Sequence, residues 1–357
     1  MGAKGAELGT MGAAAEIEAA KAAVRAHEAA IEEAAIGDAE TVGAGVDGIA
    51  EALSVRCAPG WSYRGTHPFG SHQGPEAVAR AVWAPLLAAL GPVQRRPDIL
   101  FAGLNDMEEG GAWACSMGHL IGNLDAPLLG LGPTGRLAFL RYCDWHRVEG
   151  ERIVETVQFL DLMNLMAQLG SPALPTATGV VTVTPGPRTH DGLRHAASHP
   201  AEGRASLALV RRMVERLRAS GIRTTRADLE ADWREDMLWW GPGGIGASFT
   251  QSRYLRQHCG PFEDGLDFVR SEGHEVEIGE AAYAGFFGWP SLAMRPTGGY
   301  LGLSGASGRE GEMRIVDLYR VEDGRLAENW VFIDHLHFLH QLGVDLLARH
   351  AALTGGR

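Results

Sequence analysis

Cysteine is scarce in this chain. There are four in 357 residues, Cys57, Cys115, Cys143 and Cys259, and none forms a C-x-x-C pair. That spacing leaves no cysteine-built zinc site and is expected of a chain kept in a reducing compartment, the cytoplasm. Clustered positive charge is also missing. Lys and Arg number 32 against 44 Asp and Glu, for a formal net charge of -12. Nucleic acid, whose phosphates need clustered cations, is therefore not an expected partner. No apolar run approaches the roughly 20 residues of a membrane span. The Ala-rich start carries Lys4, Glu7 and Glu16 instead of the continuous apolar stretch of a signal peptide. What remains, 45% hydrophobic and 21% charged, is ordinary globular composition, and the length predicts two domains.

What is present is a repeat. Gly150–Gly170, GERIVETVQFLDLMNLMAQLG, reappears changed as Gly324–Gly343, GRLAENWVFIDHLHFLHQLG. Aligned on Asp161 and Asp334, the copies are 173 residues apart. The same offset relates Asp144 to Asp317, Glu155 to Glu328, Phe159 to Phe332 and Gln168-Leu169-Gly170 to Gln341-Leu342-Gly343. Pro133-Thr134-Gly135 matches Pro296-Thr297-Gly298 at an offset of 163, so the second copy has gained ten residues, assigned to a long hairpin loop at Ser304–Gly311. The chain therefore reads as two copies of one unit.

Each copy ends in alternating residues. Glu328, Trp330, Phe332 and Asp334 share one strand face, as do Glu155, Val157, Phe159 and Asp161 in the first copy. Ile315, Asp317, Tyr319 and Val321 share a face of the preceding strand, matched by Tyr142, Asp144, His146 and Val148. Glu322-Asp-Gly-Arg325 and Glu149-Gly-Glu-Arg152 read as hairpin turns. On this pattern Asp317 and Asp334 come together on one face, in a pocket floored by the aromatics. A buried carboxylate with a second beside it has a raised pKa and is suited to act as a general base.

Along the chain, residues 1–12 carry no structural signal, and a helix is expected over about 13–35. Helices, a short strand at Trp61–Tyr63, a helix after Pro75 and a strand meander follow. Residues 171–200, rich in Pro, Thr and Gly, read as a linker, which gives domains 13–170 and 201–357. The fold class is α+β: two tandem cone-shaped units, each with N-terminal helices on a strongly curved, mainly antiparallel sheet enclosing an apolar cavity.

Pro-Thr-Gly before a strand, Arg-Val-Glu-Asp-Gly-Arg-Leu-Ala-Glu-Asn-Trp, Asp334 and Gln341-Leu342-Gly343 together resemble the polyketide-cyclase (SnoaL-like) branch of the nuclear transport factor two-like superfamily. The resemblance implies a barrel-like cone and a cofactor-free, metal-free intramolecular aldol ring closure with Asp334 as general base. In that branch the partner on the preceding strand is usually a histidine. Here Asp317 and Asp144 stand in its place, so the donor is a shared proton, Tyr319 or His146. Single-domain relatives commonly dimerise through their sheets. A fused tandem satisfies that interface as an intramolecular pseudo-dimer, with a further homodimer open.

The candidate catalytic residues are therefore Asp334, Asp317, Tyr319, Asp161, Asp144 and His146. Candidate substrate contacts are Trp330, Phe332, Trp239, Trp240, Trp289 and Glu328 in the second copy, and Phe159, Trp61, Trp113 and His119 in the first. Of the adjacent Trp239 and Trp240, one is expected in the pocket and the other in the core. Gly241–Gly246, GPGGIG, reads as a pocket rim, and His335, His337 and His340 as exposed or capping residues. The expected ligand is a hydrophobic, oxygen-bearing small molecule. Three classes stay open: a cyclase or isomerase, a hydrolase activating water with paired aspartates and an arginine, and a non-catalytic binder.

Overall fold

The computed structural model describes residues 2–36, 42–108, 110–196, 199–302 and 308–355. The first sheet comprises β1 (Cys57–Gly65), β2 (Gly70–Gln73), β3 (Gln94–Leu104), β4 (Ala112–Asn123), β5 (Leu137–Glu149) and β6 (Arg152–Leu160), in the order β2-β1-β6-β5-β4-β3. The second comprises β7 (Trp233–Trp240), β8 (Ala247–Phe249), β9 (Leu266–Ser271), β10 (Val276–Glu280), β11 (Tyr283–Pro296), β12 (Gly311–Glu322) and β13 (Arg325–Ile333). Its order is β10-β11-β12-β13-β7-β8, with β9 also on β11. Each sheet has one parallel pair, β1 with β6 and β7 with β13. The architecture is α+β and duplicated, as the repeat predicts, but each sheet is open and neither closes into a barrel.

The duplication extends to irregular features. Ala79–Trp83 and Leu255–Cys259 are both single π-helical turns, each followed by a proline near the start of the next helix, Pro85 and Pro261. Proline has no N–H for the carbonyl four residues back, which favours the wider turn. The carbonyl of Gln257, deprived in this way, accepts a hydrogen bond from Thr178 Oγ1 at 2.6 Å.

Both turn segments give hairpins. In the second, Asp323 (φ 51°) and Gly324 (φ 71°) both take the left-handed conformation, as a two-residue hairpin turn requires. Beyond each turn a β-bulge intervenes, between Arg147 and Val148 and between Arg320 and Val321. The extra residue changes the pairing parity. Asp317 therefore faces Val331 across the pair, and Leu318 faces Trp330. Asp317 and Asp334 lie on opposite faces, and the expected dyad does not form.

This corrects the role of most predicted pocket aromatics. Trp330 and Phe332 join Val316, Leu318 and Phe287 on the outer face of the second sheet. Trp113, Cys115, Trp145, Val157 and Phe159 form the outer face of the first. The two faces pack on each other as one buried core between the sheets, with Trp240 and Trp289 at its margin. The pseudo-dimer is thus sheet to sheet. Trp330, Phe332, Phe159, Trp113, Trp240 and Trp289 belong to that interface and not to a pocket. His119, on the outer face of β4, contacts Phe139 and Asp98, and Glu328 is held by Arg320 and the Arg188 N–H.

The predicted linker is ordered. Val180 and Ala247 exchange backbone hydrogen bonds at the edge of the second sheet, while Gly192 and Arg194 pair with Leu100 at the edge of the first. It thereby covers both edge strands. The N-terminal helix spans Gly2–Ile36, taking in the first dozen residues, and lies across β3, β4, β5 and β6. Residues 304–307 of the expected hairpin loop at 304–311 lie outside the described residues. All four cysteines are buried and free.

Asp161 and Asp334 clip the two halves together. Asp161 Oδ1 caps a helix through the Asn164 N–H at 2.9 Å, and Oδ2 accepts the Gly243 N–H from the other half at 2.9 Å. Asp334 Oδ1 accepts the His337 N–H at 3.1 Å, and Oδ2 accepts the His67 N–H across the interface at 3.0 Å. Arg141 stands 3.6 Å from Asp161, and Arg314 stands 3.3 Å from Asp334. The GPGGIG loop is therefore an interdomain contact, not a pocket rim. A Cβ on Gly243 would lie 2.1 Å from the Asn164 nitrogen. Gly243→Ala is expected to lower the melting temperature by several degrees, whereas Gly60→Ala, with nothing within 4 Å of its added Cβ, leaves it within about a degree. Thermal unfolding of the two variants checks this.

Candidate active site in the second domain

The inner face of the second sheet is covered by the helices Pro200–Ala219 and Arg226–Asp232 and by the segment 251–265. Between sheet and helices lies a cavity of about 150 Å³. Aromatic side chains dominate its wall: Trp233, Trp239, Tyr254, His258, Phe262, Phe286 and Tyr319. They brace one another. His258 stacks on Trp239 with centroids 4.1 Å apart, Tyr254 lies 5.5 Å from Trp239, and Tyr319 lies 5.8 Å from Trp233.

One carboxylate opens onto this wall from the sheet. Asp317 Oδ1 accepts the Asn329 Nδ2–H at 3.1 Å, and Tyr319 also hydrogen-bonds it. Burial raises its pKa to about 6, the hydrogen bonds from Asn329 and Tyr319 holding it back from going higher. His258 is kept neutral, its pKa pushed down to about 3 by burial and secondarily by His335. Its Nδ1 is buried without a hydrogen-bond partner. The site thus combines a base that ionises near neutrality with a neutral imidazole and two tyrosines.

Of the predicted site residues, the structure brings Asp317, Tyr319 and Trp239 to this cavity. Trp239 lines the cavity, and Trp240 lies at the margin of the core between the sheets. Asp144, His146 and Trp61 lie inside the first domain, Asp161 and Asp334 at the domain interface. Arg141, the arginine a paired-aspartate hydrolase would use, is spent on the Val331, Gly241 and Trp240 carbonyls. His335 is buried, its Nε2 2.8 Å from Tyr300 Oη, and not exposed as expected. Sequence reading missed Tyr254, His258 and Asn329. The first two stand four apart on one helical segment, a spacing that puts them on one face. Asn329 was assigned to the wrong face by the unseen bulge.

In the first domain the helix Gly2–Ile36 lies across the sheet with Val24, His27, Glu28 and Ile31 buried, and His27 meets His146 edge-on with ring centroids 5.2 Å apart.

Buried neutral histidines set a pH dependence. Burial lowers His27 and His258 to about 3 and His335 and His337 to about 4. Unfolded, these groups protonate near about 6.5. The stability they confer is complete above that value and is lost as pH falls toward 4. Asp317 and Asp334, raised to about 6 by burial, act in the opposite sense, since protonating them from pH 6 downward favours the fold. The histidines are more numerous and their shifts larger. The melting temperature is expected to fall steadily from pH 6.5 to 4; a flat or rising curve contradicts the burial of these rings.

Two α+β units, each an open mixed sheet with helices on one face, make up the chain, and the second encloses the aromatic-lined cavity. The sequence profile of SnoaL-like polyketide cyclases matches residues 47–169 and 291–342, one region in each half of the chain, in keeping with a tandem of two such units. Solved structures similar to it include a SnoaL-like polyketide cyclase candidate from Jannaschia sp. CCS1, 21% identical over 35% of this chain and 81% of that one, with a TM-score of 0.27. IdmH from Streptomyces antibioticus, described as a candidate polyketide cyclase, is 21% identical over 40% of this chain and 96% of its own, with a TM-score of 0.29. An NTF2-like protein from Burkholderia thailandensis E264 is 20% identical over 43% and 97%, with a TM-score of 0.29. No curated protein sequence matches the chain.

Proposed function

We propose that the second-domain cavity carries out general-base proton transfer on a compact, largely apolar, oxygen-bearing small molecule, closing a ring or moving a double bond. The observation that carries this reading is Asp317, a half-buried carboxylate with a pKa of about 6 on the wall of an aromatic-lined cavity. The ionised Asp317 takes a proton from a carbon next to a carbonyl, and the C–H electron pair becomes an enolate. The enolate carbon attacks a second carbonyl, or is reprotonated elsewhere, and Asp317 returns the proton. Tyr254 and neutral His258 supply donors for the enolate oxygen, while the Tyr319 hydroxyl stays on the Asp317 carboxylate and orients it. A cavity of about 150 Å³ holds roughly one benzene-sized ring, so the reacting part of the substrate is one ring or its open-chain precursor. The remainder extends into the outer cleft at Ser220–Arg223 and Phe262–Phe268, which shares Ile222, Arg223, Phe262 and Glu263 with the cavity.

The test does not require the natural substrate. A panel of aryl 1,3-diketones and β-keto esters is incubated in D2O, and exchange at the acidic carbon is followed by NMR. Exchange catalysed by the wild type and lost in Asp317→Asn supports the proposal. Binding without exchange makes the protein a carrier, and exchange unchanged in Asp317→Asn assigns the base elsewhere.

A further inference from the structure

The interior of the first domain holds a cluster that the second-domain pocket does not use. Glu28, from the N-terminal helix, meets Asp144 and His146 of β5, with one donor atom of each within 4.8 Å of the others. All three are buried. We propose that this cluster is a structural site for one divalent transition-metal ion of the zinc type, which pins the N-terminal helix to the first sheet.

Three observations carry it. The first is the set of unpaired atoms: Asp144 Oδ1 and His146 Nε2 are buried and have no hydrogen-bond partner. These groups come within 4.8 Å of one another, yet these two atoms make no hydrogen bond, a spacing that leaves room for an ion between them. Bonds of about 2.0–2.2 Å at tetrahedral angles separate the ligand atoms by more than a hydrogen bond would. The second is orientation. His146 Nδ1 lies 2.9 Å from Thr156 Oγ1, which also accepts the Trp61 Nε1–H at 3.0 Å. With Nδ1–H donating to Thr156, the Nε2 lone pair is left as a ligand, and an outer partner on the other ring nitrogen is what metal-bound histidines commonly have.

The third is charge. Arg95 Nη1 sits 3.0 Å from both Glu28 Oε1 and Asp144 Oδ2. One guanidinium between two carboxylates leaves a negative charge uncompensated in a dry interior, which a proton or a cation must neutralise. Arg95 holds Glu28 Oε1 and Asp144 Oδ2, which leaves Asp144 Oδ1 for an ion. Imidazole nitrogen with carboxylate oxygens suits zinc and its neighbours better than calcium or magnesium.

Untagged protein is titrated with Co²⁺ while its visible absorption is recorded, and with Zn²⁺ while its melting temperature is followed. The expected results are one equivalent bound, visible bands of a four- or five-coordinate ion, a melting temperature raised by several degrees, and affinity at least tenfold weaker in His146→Gln and Glu28→Gln. No binding by the wild type, or binding unchanged in both variants, overturns the proposal and leaves the cluster neutralised by a proton or solvated by water. The wild-type titration decides even where a variant fails to fold.

Discussion

Asp317→Asn is expected to lower the proton-transfer rate by about 10²–10⁴-fold, the usual contribution of a positioned base. The same substitution is expected to leave the melting temperature unchanged or to raise it. The wild-type carboxylate is half-buried on the cavity wall, and burial penalises its charged form at neutral pH. Asparagine keeps the shape and an oxygen that can accept the Asn329 Nδ2–H at the same place. It removes the ionisable group that burial disfavours. A gain in stability together with a loss of activity is what a residue retained for chemistry shows. In the wild type the rate is expected to rise with pH and level off above the pKa of about 6, because only the ionised carboxylate accepts the proton. Paired rate and thermal measurements on wild type and variant test this. A variant that loses stability while keeping its rate would make Asp317 a structural residue.

Asp161→Ala is expected to cost about 3–5 kcal/mol, read from the midpoint of urea unfolding, because it leaves a buried arginine without its counter-ion. Arg141 is buried, with a side-chain exposure of 1%. It lies over the Phe332 ring at 4.0 Å and donates to the Val331 carbonyl at 3.0 Å. Removing the carboxylate strips that cation of its compensation and also orphans the Asn164 and Gly243 N–H groups. The equivalent change in the other copy, Asp334→Ala, is expected to cost less. Arg314 has 21% of its side chain exposed, so water can take over part of its solvation. Equal costs would contradict the burial difference between the two clips. A negligible cost for Asp161→Ala would remove these aspartates from the domain interface.

These expectations show where the sequence was legible. The fixed offset between Asp161 and Asp334 carried the duplication, and the alternation carried the strands and hairpins, because both are properties of the chain. Which face looks inward is not. One extra residue in each hairpin, at Arg147/Val148 and Arg320/Val321, reversed the parity between the paired strands. Trp330 and Phe332 therefore went to the domain interface, and Asn329 and Val331 to the pocket. A bulge leaves no mark on a period-two pattern when both faces are apolar. In a duplicated fold that packs sheet on sheet both faces are apolar, so aromatic content could not separate pocket from interface. The burial of His27 and Glu28 was equally hidden, since the Ala-rich helix gives no sign that they point toward His146 and Arg95 of the sheet.

The central claim is that Asp317 is an ionisable carboxylate, half-buried on the wall of the second-domain cavity and separate from Asp334. It is tested most directly by a carboxyl ¹³C NMR titration of the aspartates in wild type and in Asp317→Asn. The account predicts a carboxyl titrating at about 6 that vanishes in the variant, while the Asp334 resonance, also titrating at about 6, keeps its midpoint. Titration of Asp317 near the ordinary value of about 3.9, or a shift in the Asp334 midpoint when Asp317 is replaced, would contradict it.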